Sequence, residues 1–228
     1  MKIRTLLLAT SLISSSAFAS TINFDYVEAG YAKLTLDDSE LNPKGLGLKL
    51  SKALNDNLVL KANYIRTNDS ISHSETENYG EIPVNIDIEA DTTLSQVYLG
   101  LGYLWHIDEN KVFELAPYIG NLKFDIDSSV NASASYMGES ASESETYNES
   151  DDVNIFGLEA NYHFAFNDQL NMLLGLGYER VDYDDEPESD SFYQVQLNYN
   201  FTENFTFNFA HRAVDDYKNT GLNIRYNF

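Results

Sequence analysis

The chain has 228 residues, a formal net charge of −22 and no cysteine. That charge argues against a nucleic-acid-binding face, which needs clustered Lys and Arg. The missing sulfur excludes a disulfide framework, a zinc–thiolate site and a cysteine nucleophile. Sixteen Tyr, thirteen Phe and one Trp are many for so polar a chain, whose mean hydropathy is −0.35, and they need a surface of their own.

In chain order, the first element is a targeting segment. Lys2 and Arg4 precede an apolar run with Leu6, Leu7, Leu8, Leu12 and Ile13, and Ala17-Phe18-Ala19 supplies a small-residue cleavage site. Residues 1–19 therefore read as a secretory signal peptide, leaving one domain over 20–228. No later stretch approaches eighteen apolar residues, so only strands are left to cross a membrane, and their hydropathy signal is weak because half of each strand faces inward.

The rest alternates at period two, the signature of strands. The first, with Ile22, Phe24 and Tyr26 in one phase and Val27, Ala29 and Tyr31 in the other, calls for a bulge near Tyr26-Val27. Nine cleaner strands follow over 45–51, 58–64, 96–105, 113–120, 155–164, 170–179, 192–201, 205–212 and 221–228. Four Asn/Asp-rich tight turns, over 54–58, 107–111, 166–170 and 201–205, alternate with longer polar connections over 37–44, 68–93, 125–152, 182–191 and 215–219. Asn and Asp suit turns because their side chains bond the nearby backbone. Strict alternation of short and long connections places them at opposite ends of an up-and-down antiparallel meander. Closure into a barrel hides the edges of such a meander. The expected fold is therefore an all-β transmembrane barrel of ten strands, or eight if the first hairpin is irregular. Its apolar face points outward with aromatics near the strand ends, and its Gly-rich polar face points inward.

The leader, the Asn/Asp turns and the ending Gly221-Leu222-Asn223-Ile224-Arg225-Tyr226-Asn227-Phe228 resemble small Gram-negative outer-membrane β-barrel proteins over the whole of 20–228. The resemblance implies an outer-membrane location with outer-membrane lipid and lipopolysaccharide as surroundings. It also implies that Gly221, Ile224, Tyr226 and Phe228 in the last strand are read by the barrel-assembly machinery. It names no substrate.

The inward phase collects four acids, Glu28, Glu114, Glu159 and Glu179, and four bases, Lys49, Lys61, Arg212 and Arg225. Charges in a narrow interior must pair, so these eight are expected to form a lumen network that either plugs the barrel or lines a small gated pore. The longer connections hold 26 of the 36 acids. Among them, Asp182, Asp184, Asp185 and Glu186 are a candidate site for divalent cations, which take oxygen ligands. The 125–152 connection, with its Ser-Glu repeats, reads as a low-complexity, mobile loop.

Two outer-membrane enzyme families set requirements that this chain does not match in full. The lipid A deacylases need a His followed two residues later by a nucleophilic Ser, and His211-Arg212-Ala213 has Ala there. The omptin proteases need Asp and His across the outer mouth, and only His211 with Asp215 and Asp216 cluster locally. The expectation is a non-enzymatic barrel without cofactor, resident metal or nucleic-acid partner. Its role is structural or surface-interacting, with a narrow, weakly cation-preferring porin as the alternative and an outer-membrane hydrolase as the weakest reading.

Overall fold

The alternating segments form ten strands: β1 (Tyr26–Leu36), β2 (Lys44–Asn55), β3 (Leu58–Tyr79), β4 (Ile82–Asp108), β5 (Lys111–Tyr136), β6 (Glu139–Ala165), β7 (Leu170–Asp182), β8 (Pro187–Asn200), β9 (Phe205–Ala213) and β10 (Tyr217–Asn227). The computed structural model describes residues 22–37, 41–80, 82–136, 139–182, 187–215 and 217–228. The expected signal peptide, residues 1–19, lies outside the described residues. Each strand pairs antiparallel with the next, and β1 pairs with β10 from Tyr26↔Asn227 to Leu36↔Tyr217, which closes the barrel.

The four tight turns share one device. Asn55, Asp108, Asn167 and Thr202 each accept a backbone N–H from two or three residues further on, at 2.8–3.0 Å. Each side chain thus satisfies a donor that the reversal leaves without a ladder partner. These turns define the turn end of the barrel.

Two expectations are corrected here. The bulge near Tyr26-Val27 is absent: β1 keeps unbroken register with both neighbours from Tyr26. Val27 and Tyr31 point outward, Glu28 points inward, and Ile22 and Phe24 precede the strand. They tuck in at the turn end among Val59, Leu104, Val112 and Ala165. The mixed phase arises because a capping segment was read as strand.

The connections over 68–93 and 125–152 are not loops. β3–β4 pairing runs without a break to Tyr79↔Ile82, and β5–β6 pairing runs to Tyr136↔Glu139. β4 and β5 join the two hairpins as far as Val84↔Ala134. A four-stranded sheet therefore projects from the far end of the barrel. Its polar faces hid it in the sequence, because alternation of Ser, Asn and acid against small apolar residues leaves little hydropathic contrast.

The two faces of the wall differ sharply. Outward side chains include Leu46, Leu48, Leu99, Leu101, Leu158, Leu174, Leu176 and Ile224, all large, apolar and exposed. At the turn end they give way to aromatics: Trp105 packs between Tyr103 and Phe113, Phe164 meets Phe166, and Phe205 meets Phe201 and Tyr226. This outward belt accounts for the excess of aromatics, since amphipathic rings favour a lipid–water interface. On β3 to β6 the belt ends at Tyr64, Val97, Ile119 and Phe156. The next outward residues are Arg66, Ser95, Asn121 and Asn154. Among the described residues no helix is long and apolar enough to cross a membrane.

Near the far end the lumen narrows to a cluster of Leu34, Leu94, Tyr98, Tyr118, Leu122, Ile155 and Phe192. Two glycines admit its rings. A Cβ at Gly157 would sit 2.1 Å from Tyr118 Cζ, and one at Gly177 would sit 2.1 Å from Phe192 Cζ. Gly157→Val is therefore expected to expel the Tyr118 ring at a cost of about 1–3 kcal/mol, seen as a lower unfolding midpoint in detergent. An unchanged midpoint would show that the ring can leave its seat freely.

Candidate functional site

Because β-strand side chains alternate, every second residue of all ten strands converges on the lumen. The eight inward charges fall into three separate clusters rather than one continuous ladder. In the first, Glu28 lies between Lys49, whose Nζ is 3.1 Å from Oε1, and Arg225, whose Nε and Nη2 donate to Oε2 at 2.9 and 2.7 Å. The Arg225 guanidinium stacks 3.7 Å from the Tyr26 ring centre.

In the second, Lys61 donates to Glu114 at 2.9 Å and also to Glu159. Asn161 donates to Glu159 at 3.0 Å, Gln194 donates to Glu159 at 3.1 Å, and His163 Nε2 lies 2.8 Å from Glu114 Oε2. Glu114 is only 1% exposed, so these contacts replace water.

In the third, Arg212 donates to Glu179 at 2.5 Å and to the Tyr118 hydroxyl at 2.8 Å. Glu179 also accepts from Tyr118 at 2.9 Å and from Tyr217 at 2.6 Å. The Arg212 guanidinium lies 3.8 Å from the Phe192 ring centre, with Tyr98 and Tyr118 at 5.8 and 5.7 Å. This cluster reaches from β4 and β5 across to β9 and β10 and merges with the apolar narrowing. Together they narrow the lumen near the far end.

Sequence reasoning missed the neutral half of these clusters. His163 shares the inward phase of Glu159 and Asn161 and meets Glu114 across the strand pair. Tyr118 falls on an inward position of the 113–120 strand, while Tyr217 falls in the 215–219 connection, which the structure makes the start of β10. Only the phase that Tyr118 shares with Glu114 could have signalled a lumen role. An amide wall was also missed: Asn198 donates to Asn171 at 2.7 Å, Asn208 to Asn198 at 2.6 Å and Asn223 to Asn208 at 2.9 Å. Between this wall and the charged clusters lies a cavity of about 1170 Å³, which reaches the turn end at Gln169, Thr202 and Glu203.

The acidic connections are only partly described. Asp184, Asp185 and Glu186 of the candidate cation site lie outside the described residues, and Asp182 pairs with Arg180 at 2.7 Å. Among the described residues no group of three or more His, Asp or Glu is arranged to hold a metal ion. In the last strand, Ile224 and Tyr226 point outward, Gly221 points inward, and Phe228 follows the strand and packs near Tyr226.

The projecting sheet carries its own pattern. On the face continuous with the lumen, Val84, Ile86 and Ile88 of β4 lie beside Val130, Ala132 and Ala134 of β5. Glu75 stands opposite Ile86 on one side, and Glu143 and Glu145 stand opposite Ala132 and Val130 on the other. The result is an apolar stripe between two acidic rims. The opposite face is mostly Ser, Thr, Asn and Asp, with Pro83 and Glu89 on β4. At its base, hydrogen bonds from Lys123 and Ser150 hold the Asp125 carboxyl below its usual range.

No family model matches the chain, and no curated protein matches it. Among solved structures it is similar to Ail, the attachment invasion locus protein of Yersinia pestis, at 17% identity over 91% of this chain and 100% of that one, with a TM-score of 0.38. It is similar to the NanC porin at 9% identity over 89% and 100%, TM-score 0.46. It is also similar to Neisserial surface protein A at 13% identity over 89% and 95%, TM-score 0.34. Likenesses at this level assign no role to the chain, and the architecture rests on the register and faces described above. A closed ring of ten antiparallel strands, apolar and aromatic outside and charged within, is the architecture of the small outer-membrane β-barrel proteins.

Proposed function

We propose that this barrel resides in the outer membrane with its turn end towards the periplasm, and that it is a non-catalytic, structural and surface-interacting protein. Its projecting acidic sheet engages cationic partners outside the cell. The observation that carries the reading is the sheet itself. β3 to β6 continue about fifteen residues past the apolar belt, about 50 Å of extended chain, and present an apolar stripe bounded by Glu75, Glu143 and Glu145. A surface of this kind favours a partner with apolar residues flanked by Lys and Arg. In this reading the last strand, ending at Phe228, is what the barrel-assembly machinery engages.

The test uses a labelled cationic amphipathic helical peptide and the protein refolded in detergent. Binding is expected to be salt-sensitive and to weaken about fivefold when Glu75, Glu143 and Glu145 are changed to Gln, each acid contributing a few tenths of a kcal/mol. Equal binding by wild type and variant would remove the acidic rim from the proposal. Absence of binding by either would remove the cationic partner. The location has its own check: unboiled protein should migrate as a compact band on a denaturing gel and fractionate with outer membranes.

A further inference from the structure

The four inward acids and four inward bases balance in number but not in place. On one side of the lumen Glu28 is shared by two cations, Lys49 at 3.1 Å and Arg225 at 2.7 Å. That cluster carries one net positive charge. On the other side Lys61 is shared by two acids, Glu114 at 2.9 Å and Glu159. Counted with a neutral imidazole at His163, that cluster carries one net negative charge. Among the described residues no other charged side chain apart from His163 pairs with either set. Glu28 stands on β1 and Glu159 on β6, five places apart in a ring of ten strands, so the two clusters face each other. The Arg212–Glu179 pair is balanced and adds to neither.

Lys49, Arg225, Lys61, Glu114 and Glu159 all line the cavity of about 1170 Å³. Its walls therefore carry one positive and one negative charge that no neighbouring side chain offsets, and such charges are costly away from bulk water. A ligand with one anionic and one cationic end meets both. From β7 round to β10, the strands leading from one cluster to the other, the cavity is lined by the amides Asn171, Gln194, Gln196, Asn198 and Asn223. Asn198 and Asn223 each spend one N–H on a neighbouring amide and keep a second. Asn63, beside Lys49 in register, has a buried Oδ1 with no hydrogen-bond partner, and Arg212 a buried Nε with none. Groups that both donate and accept match the peptide bond, with its one N–H and one C=O. Four strands span about 14 Å at the usual spacing, the extended reach of about four residues.

We infer that the lumen cavity is a binding site for a short peptide with free ends, about four residues long or less. Its carboxylate meets the excess positive charge at Lys49 and Arg225, its ammonium meets the excess negative charge at Glu114 and Glu159, and its backbone pairs with the amide wall. The cavity reaches the turn end at Gln169, Thr202 and Glu203. The peptide therefore enters from that end, which the placement proposed above turns towards the periplasm. Binding itself needs only the folded barrel, not that placement.

The test is calorimetric titration of the protein, refolded in nonionic detergent, with tetra-alanine, its N-acetyl form, its C-terminal amide, the doubly blocked peptide and free alanine. Tetra-alanine is expected to bind at one site, and blocking either end to weaken it about tenfold, the loss of one charge-assisted hydrogen bond. Free alanine, a zwitterion without peptide groups, is expected to bind weaker still. Lys49→Gln leaves Glu28 with Arg225, and Glu159→Gln leaves Lys61 with Glu114, so neither variant strands a charge. Lys49→Gln should bind tetra-alanine no better than the amide yet still reject the N-acetyl form, and Glu159→Gln should do the reverse. An equal loss for every peptide in both variants would overturn the assignment of the two ends. No binding of tetra-alanine by wild type that runs as a compact gel band would overturn the site, as would equal binding of the doubly blocked peptide. Equal binding of free alanine would overturn the peptide assignment. If neither variant folds, the wild-type comparison of free with blocked peptides decides. Absence of a compact band from wild type would overturn the barrel and the site with it.

Discussion

Lys61→Met is expected to destabilise the barrel by about 3 kcal/mol, because it removes the cation shared by two inward carboxylates. Lys61 bonds both Glu114 and Glu159, and Glu114 is almost wholly sheltered from water. His163, Asn161 and Gln194 can orient the two acids but supply no fixed positive charge. Met keeps most of the volume of the lysine stem, so the loss reports charge rather than packing. The measurement is urea unfolding in detergent followed through Trp105, which lies on the outward aromatic belt and changes surroundings on unfolding. Glu159→Gln in the Lys61→Met background should recover roughly half the loss, because it removes the repulsion between the acids. A coupling this large is the signature of contacting charges. A loss below about 1 kcal/mol would mean that cavity water screens the cluster as it screens a surface pair.

Arg212→Ala is expected to turn a silent barrel into a conducting one. In wild type, Arg212 spans the lumen between Glu179 and the Tyr118 hydroxyl and fills the space over the Phe192 ring. The cavity reaches from this level to the turn end, so this narrowing is expected to be the barrier to ions. Truncation opens it and leaves the Glu179 carboxylate without its cation. Planar bilayers should therefore show discrete steps with a cation preference for Arg212→Ala and none for wild type. Arg212→Ala/Glu179→Gln should keep the steps and lose the preference. Steps from wild type itself would favour the narrow cation-preferring pore over a closed barrel. Silence from Arg212→Ala would show that Leu94, Leu122 and Tyr98 close the lumen unaided.

Between Lys44 and Ser51, and again between Phe205 and Asn227, the strands, their inward and outward faces and their turns were legible from period-two alternation. There one face meets lipid and the other a polar lumen, so the hydropathic contrast is strong. The same reasoning failed above Tyr64, Val97, Ile119 and Phe156. Past the belt both faces of β3 to β6 meet water, contrast disappears, and a paired sheet reads as loop. It failed also at Ile22 and Phe24, where apolar residues cap a lumen instead of continuing a strand.

The candidate site divides in the same way. Which residues point inward followed from strand parity alone, because the side-chain period is two. Which charge meets which depended on register around a closed ring. Lys61 and Glu159 are separated by two intervening strands, and Arg212 on β9 meets Tyr118 on β5 only across the lumen. By itself the sequence determined ten alternating segments, a charged interior face and the ends at which turns and acids collect, all of which are local properties of the chain. Only the tertiary structure decided that the charges form three clusters, that one of them merges with the apolar narrowing, and that the other two, of opposite net charge, face one cavity. Closure of the ring brings together residues that no sequence period connects.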